Sequence, residues 1–156
     1  MQFDEDEIIK SIFQVLTGLK VLKNKNIVHR DLNPNNILLH NGVCKIADFG
    51  LSKHSKKTTL TTAGVGTLFF MPPEMVDGKI GKKTSKIDVW SLGVVAYYMV
   101  YLQTPFTGGP YHINLANDIC KKKLVWNNER TISPEMKNLL EICLKKNPDE
   151  RADIEQ

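Results

Sequence analysis

Cysteine is scarce in this sequence, and its scarcity excludes two classes of protein. Cys44, Cys120 and Cys143 are odd in number and far apart. They cannot build the disulfide framework of a small secreted domain, and they do not fall at zinc-ligand spacing. They read as reduced thiols of an intracellular protein, cytoplasmic or nuclear. Long apolar runs are also missing. The longest, 89–100, is interrupted by Ser91 and is shorter than the roughly 20 residues that span a bilayer, so no membrane segment is expected. Residues 1–7 are acidic, unlike the basic start of a secretory signal. Aromatic residues do not interleave with the lysine clusters at 53–57, 82–86, 121–123 and 145–146, so the stacking platforms of a nucleic-acid binder are absent. The clusters read as solvated faces, and no nucleic-acid partner is expected. No internal repeat and no interdomain linker is evident.

What remains is ordinary globular material. The 156 residues are 42% hydrophobic and 24% charged, with a net charge of +4, which suits one domain with a sizeable core. Residues 7–22 have a helical apolar period through Ile8, Ile12, Leu16 and Leu19, widened by Ile9, Phe13 and Leu22. Acidic residues at 4–6 favour its amino end, and Gly18 within it marks close packing against a neighbour. Two short β-type segments, 37–39 and 43–46, flank Asn41-Gly42, a strong hairpin signal. Residues 51–66 are rich in Ser, Thr, Lys and Gly and read as a loop. Residues 88–100 are apolar nearly all round, which predicts a buried helix at the centre of the core. A surface helix is expected over 111–122. Ser133-Pro134-Glu135 predicts a helix start, with Ser as cap and Pro at the first position. That helix should bury Met136, Leu139, Leu140 and Cys143 or Leu144. A last helix is expected to begin near Asp153.

The stretch 26–50 carries the chemistry. It places Asp31, Asn36 and Asp48 on neighbouring loops joined by the tight hairpin. Asp is a base and a hard-cation ligand, and Asn is a neutral oxygen ligand. Such a set suits Mg²⁺ held on phosphates, with one carboxylate left to orient a hydroxyl.

The order and spacing of several motifs extend this reading. HRDLNPNN at 29–36 is followed by DFG at 48–50, GTLFFMPPE at 66–74, DVWSLG at 88–93 and NPDER at 147–151. The set resembles the carboxyl-terminal lobe of eukaryotic protein kinases over essentially the whole of 1–156, with a catalytic loop at 29–36 and an activation segment at 48–74. Pro34 and the form of GTLFFMPPE are similar to the serine/threonine branch, and the stretch from GVGTLFFM to VYLQTPF looks like the calcium/calmodulin-kinase-related group. The resemblance implies a mostly α fold with a small β-hairpin around a buried central helix, and ATP- and Mg-dependent phosphoryl transfer to protein hydroxyls.

The resemblance also implies roles. Asp31 accepts or orients the proton of the substrate hydroxyl, and Asn36 and Asp48 hold Mg²⁺ on the ATP phosphates. Thr67 hydrogen-bonds near Asp31 and shapes the substrate loop. His29 is a packed residue rather than a base, and Asp88 caps the backbone of the catalytic loop. Glu74 and Arg151 form a buried ion pair. Arg30 and Lys53 form a pocket for a phosphate on the activation loop. The acceptors there are Thr58, Thr59, Thr61 and Thr62, with Thr61 or Thr62 favoured, and an upstream activating kinase is the implied partner.

The chain departs from the family pattern in places. Asn33 stands where serine/threonine kinases have Lys, removing a point charge that faces the transferring phosphoryl. On that ground Asn33→Lys is expected to raise the rate. Asn35 replaces a Glu that recognises basic substrates, and Pro72 replaces an Ala. No Gly-rich phosphate loop or VAIK-type Lys occurs within these residues. The expectation is therefore a kinase fragment lacking its amino lobe, weak or inactive by itself. The rival expectation is a non-catalytic pseudokinase or scaffold lobe that acts through partner binding.

Overall fold

A computed structural model describes residues 3–48, 65–78, 84–109, 112–127 and 130–155, without the side chain of Val65. Its frame is helical. Helix α1 spans Glu5–Asn24, and the backbone N–H of Asp4 donates to Glu7 in its first turn. A short 3-10 turn at Pro34–Asn36 leads into strand β1, Ile37–His40, which pairs antiparallel with β2, Val43–Ile46. Two single-turn helices follow, α2 at Val65–Leu68 and α3 at Pro73–Val76. The longer helices beyond them are α4 at Lys86–Tyr101, α5 at Leu115–Lys121 and α6 at Pro134–Cys143. Among the described residues, no helix is long and apolar enough to cross a membrane.

Helix α4 is the axis of the core. Every residue from Ile87 to Tyr97 is buried, as an all-round apolar helix must be. Helices α1 and α6 pack against it, and α3 packs on α5. Gly93 sets one of these approaches. A Cβ there would lie 2.7 Å from Cβ of Cys143 and 3.1 Å from Leu144. Gly93→Ala is therefore expected to cost about 1–3 kcal/mol through overpacking, read as a lower urea midpoint. A midpoint equal to wild type would show that α4 and α6 separate freely.

The hairpin forms as expected. Asn41 and Gly42 both take positive φ, 51° and 74°, the pairing that a type I′ turn requires. The close approach expected at Gly18 is present, since a Cβ there would touch Ile46 at 3.0 Å. Ser133 caps α6 by accepting from the Met136 N–H at 3.0 Å. Met136, Leu140, Cys143 and Leu144 are buried, and Leu139 is half-buried.

Several boundaries and faces differ. In α1 the buried stripe is Ile8, Ile12, Val15 and Leu19. Leu16 is only partly buried, and Ile9 and Phe13 are exposed, Phe13 by 68%. The apolar arc of α1 is wider than the surface α4 and β2 offer it. Helix α5 is shorter than expected, beginning at Leu115 after a left-handed His112 with φ 59°. Residues 154–155 form a turn rather than a helix.

A cationic stack buttresses the far side of α4. The Trp90 and Phe106 rings stack with centroids 5.9 Å apart. The Lys146 ammonium lies 3.5 Å from the Phe106 centroid, and the Arg151 guanidinium lies 5.0 Å from that of Trp90. Burial pushes the Lys146 ammonium down to about 8, against the pull of Cys120 and Asp118. The folded value lies below the unfolded one, so the charged form is penalised only in the folded state. That penalty is complete below about pH 8 and is relieved as pH rises toward the ordinary lysine value of 10.5. In paired melts the wild type should gain stability relative to Lys146→Met between these limits. A constant difference across the window would refute the assignment.

Candidate active site

The 29–36 loop is held from beneath by the central helix. Asp88, on the first turn of α4, accepts the N–H of His29 and of Arg30, each at 2.8 Å. Burial pushes the Asp88 carboxyl above its ordinary range, opposed by those two backbone bonds. Arg30 sits at φ 71°, a conformation a bulky side chain adopts only when its surroundings enforce it. The two bonds to Asp88 supply that enforcement. His29 is fully buried. Its Nε2 meets the Ala47 carbonyl at 2.9 Å, and its Nδ1 accepts the Asp31 N–H at 3.3 Å. Both ring nitrogens are thus engaged by backbone, which matches a packing role.

Asp31 is gripped from both sides. Asn33 Nδ2 donates to the Asp31 carbonyl at 2.9 Å and to Oδ1 at 3.1 Å. Asn36 Nδ2 donates to the same carbonyl at 2.7 Å and to Oδ2 at 3.1 Å. Asn33 is buried and caps the 3-10 turn, its Oδ1 accepting from the Asn35 N–H at 3.0 Å. Because Asn36 turns its NH₂ toward Asp31, its amide oxygen points away from that carboxylate.

Asp48 adjoins the loop through its neighbour. The Ala47 N–H donates to the Asn36 carbonyl at 2.9 Å, and the Ala47 carbonyl meets the His29 ring. Ala47 is thus stapled to the loop on both sides, and Asp48 follows it at φ 58°. Gln14 of α1 braces the hairpin, accepting from the Cys44 N–H at 2.7 Å and reaching the Gly42 carbonyl at 3.4 Å. Sequence reasoning missed Ala47 and Gln14. Ala47 acts through backbone atoms, which any residue carries, and Gln14 is one polar residue on an otherwise amphipathic helix.

The segment from 65 to 76 forms the other wall. Thr67 lies in α2 and, with Asn33 and Asn35, lines a cavity of about 660 Å³. Thr67 is expected to hydrogen-bond near Asp31; among the described residues its side chain makes no such bond, it lines the cavity, and its carbonyl accepts from the Phe70 N–H. Ser91 of α4 ties this wall down by donating to the Phe70 carbonyl at 2.8 Å. Glu74 and Arg151 pair as expected, through NH1–Oε1 at 2.7 Å and NH2–Oε2 at 2.9 Å. Arg151 also donates to the carbonyls of Lys86 and Lys145. The positions expected for the phosphate switch, Lys53, Thr58, Thr59, Thr61 and Thr62, lie outside the described residues, as do Phe49 and Gly50 of the DFG motif. Arg30 is described, and its Nε is buried without a hydrogen-bond partner among the described residues.

The donor set suits a cation shared with phosphates. Among the described residues no group of three or more His, Cys, Asp or Glu could hold a metal ion by itself. Asn36 and Asp48 offer an amide oxygen and a carboxylate, the hard ligands in the small number that Mg²⁺ takes from protein when phosphates complete its shell.

Comparison with known proteins agrees with this chemistry. The sequence profile of the protein kinase domain matches residues 1–156, and the chain belongs to that family. Its relatives narrow the class. It is 38% identical over 156 residues to an Aurora kinase of Schizosaccharomyces pombe, covering 99% of this chain and 42% of the relative. It is 35% identical to serine/threonine-protein kinase ppk34 of the same yeast, covering 94% and 41%, and 35% identical to serine/threonine-protein kinase ATG1b of Arabidopsis thaliana, covering 93% and 21%. By family this is a protein serine/threonine kinase. The chain spans about two fifths or less of the length of these relatives, and their names do not support the calcium/calmodulin-kinase grouping.

Proposed function

We propose that this chain is the carboxyl-terminal lobe of a protein serine/threonine kinase that transfers the γ-phosphoryl group of ATP to Ser or Thr hydroxyls of protein substrates. The observation that carries the reading is the grip on Asp31, one amide donor on each carboxylate oxygen, with Ala47, the residue before Asp48, bonded to the Asn36 carbonyl. Asp31 receives the hydrogen bond of the incoming hydroxyl and orients it in line. Asn36 and Asp48 hold the cation through their oxygens. Bound Mg-ATP supplies the phosphoryl group and the counter-charge for its oxygens. Thr67 and Asn35 line the groove in which the substrate peptide lies, and Asn35 offers no charge for a basic residue. In the family an amino lobe also clamps the nucleotide, so the activity is assigned to the full-length protein and the 1–156 chain alone is weak or inactive.

The same reading extends to control. Arg30, whose buried Nε has no hydrogen-bond partner among the described residues, would join Lys53 in receiving a phosphate placed on Thr58, Thr59, Thr61 or Thr62 by an upstream kinase.

The test is transfer of label from γ-labelled ATP to serine, threonine and tyrosine peptides by the full-length protein. Transfer to serine or threonine, dependent on Mg²⁺ and lost in Asp48→Asn, is expected. Transfer undiminished in Asp48→Asn would overturn the ligand assignment, and transfer to tyrosine alone would overturn the substrate class.

A further inference from the structure

We propose that Asn33 is a positioning residue for Asp31, so that this catalytic loop is rebuilt around a neutral amide where serine/threonine kinases carry lysine. The inference rests on the kinase reading above and adds a residue to its machinery. Asn33 is 5% exposed, so the protein rather than solvent sets its orientation. Its two ends are used differently. The backbone N–H of Asn35, 3.0 Å away, can meet only an acceptor, which fixes the amide oxygen toward the turn. The NH₂ must then face Asp31, where it meets both the carbonyl and Oδ1.

Asn36 makes the matching bonds to the same carbonyl and to Oδ2. A carboxylate held at one oxygen pivots about its Cβ–Cγ bond, whereas one held at both does not. Each oxygen keeps a further lone pair for a substrate hydroxyl. Asn33 and Asn36 together therefore hold Asp31 in one reactive orientation, the arrangement that positioning catalysis requires. Lysine has donors but no acceptor. At position 33 it could reach Asp31, but the Asn35 N–H would lose its partner and the turn its cap. The expectation that Asn33→Lys raises the rate is thereby reversed.

The test uses the full-length protein with Asn33→Asp, Asn33→Ser and Asn33→Lys. Aspartate keeps the acceptor for the Asn35 N–H, and with it the turn, but turns a carboxylate toward Asp31. Asn33→Asp should lower kcat by about tenfold to a hundredfold, with the KM for ATP unchanged within about twofold. Asn33→Lys should also be slower than wild type. Crystal structures of wild type and Asn33→Ser give a readout without turnover: one Asp31 rotamer in the first, and two or more in the second. A wild-type kcat in Asn33→Asp, a faster Asn33→Lys, or a single shared Asp31 rotamer would each overturn the proposal. If wild type and Asp31→Asn transfer phosphate equally, the kinase reading fails, and the Asp31 rotamers alone then decide the role of Asn33.

Discussion

Asp31→Asn in the full-length protein is expected to lower kcat about a thousandfold, within the range lost with a general base, while the KM for ATP stays near its wild-type value. The substitution preserves shape, so the loss has two sources. The negative charge that draws the substrate hydroxyl is removed. The new side chain also has only one oxygen, whereas two amide NH₂ groups, from Asn33 and Asn36, point at its two ends. One of them must then face another NH₂, and the orientation is lost along with the charge. Steady-state kinetics with ATP and peptide varied in turn would measure the split. A matching thermal melt would show that the core beneath, built on α4, is intact. Equal rates in variant and wild type would remove Asp31 from the mechanism.

Glu74→Leu carries the largest expected cost in stability. Arg151 is wholly buried, and the Glu74 side chain is 20% exposed. Deleting the carboxylate leaves a buried guanidinium whose remaining partners are carbonyl oxygens and the Trp90 face. Breaking such a pair from one side costs about 3–5 kcal/mol, and removing both partners costs less, because the uncompensated charge goes too. Urea unfolding of Glu74→Leu, Arg151→Met and the double variant should show the double variant recovering part of the loss. A single-variant cost below about 1 kcal/mol would place the pair with exposed salt bridges.

Much of this was legible in the sequence because the informative residues are neighbours. Asp31, Asn33 and Asn36 fall within one loop of six positions, so their meeting required no knowledge of the tertiary fold. The hairpin was legible because Asn41-Gly42 dictates its own backbone, and α4 because a helix apolar on every side has only the core to occupy. The Glu74–Arg151 pair and the Asp88 cap came from the resemblance to kinases, since nothing local joins residues so far apart. What stayed hidden follows from the same physics. On α1 the helical period pointed to Leu16 as an inner residue, whereas the outlines of α4 and β2 bury Val15 and leave Leu16 partly buried. Ser91 and Gln14 work by bonding distant backbone atoms, which leave no trace in side-chain pattern. Thr67 shares a cavity wall with Asn33 and Asn35, a meeting of distant segments that nothing in the local sequence announces.

The two bonds from Asp88 to the backbone of His29 and Arg30 also have a consequence for time. A surface loop ordinarily rearranges in nanoseconds to microseconds, independently of the domain beneath it. Here the peptide groups just before Asp31 are fastened to a side chain of the most buried helix. Releasing them means breaking into the core, and that opens only as often as the core itself. The backbone that leads into Asp31 thus keeps the slow clock of the interior.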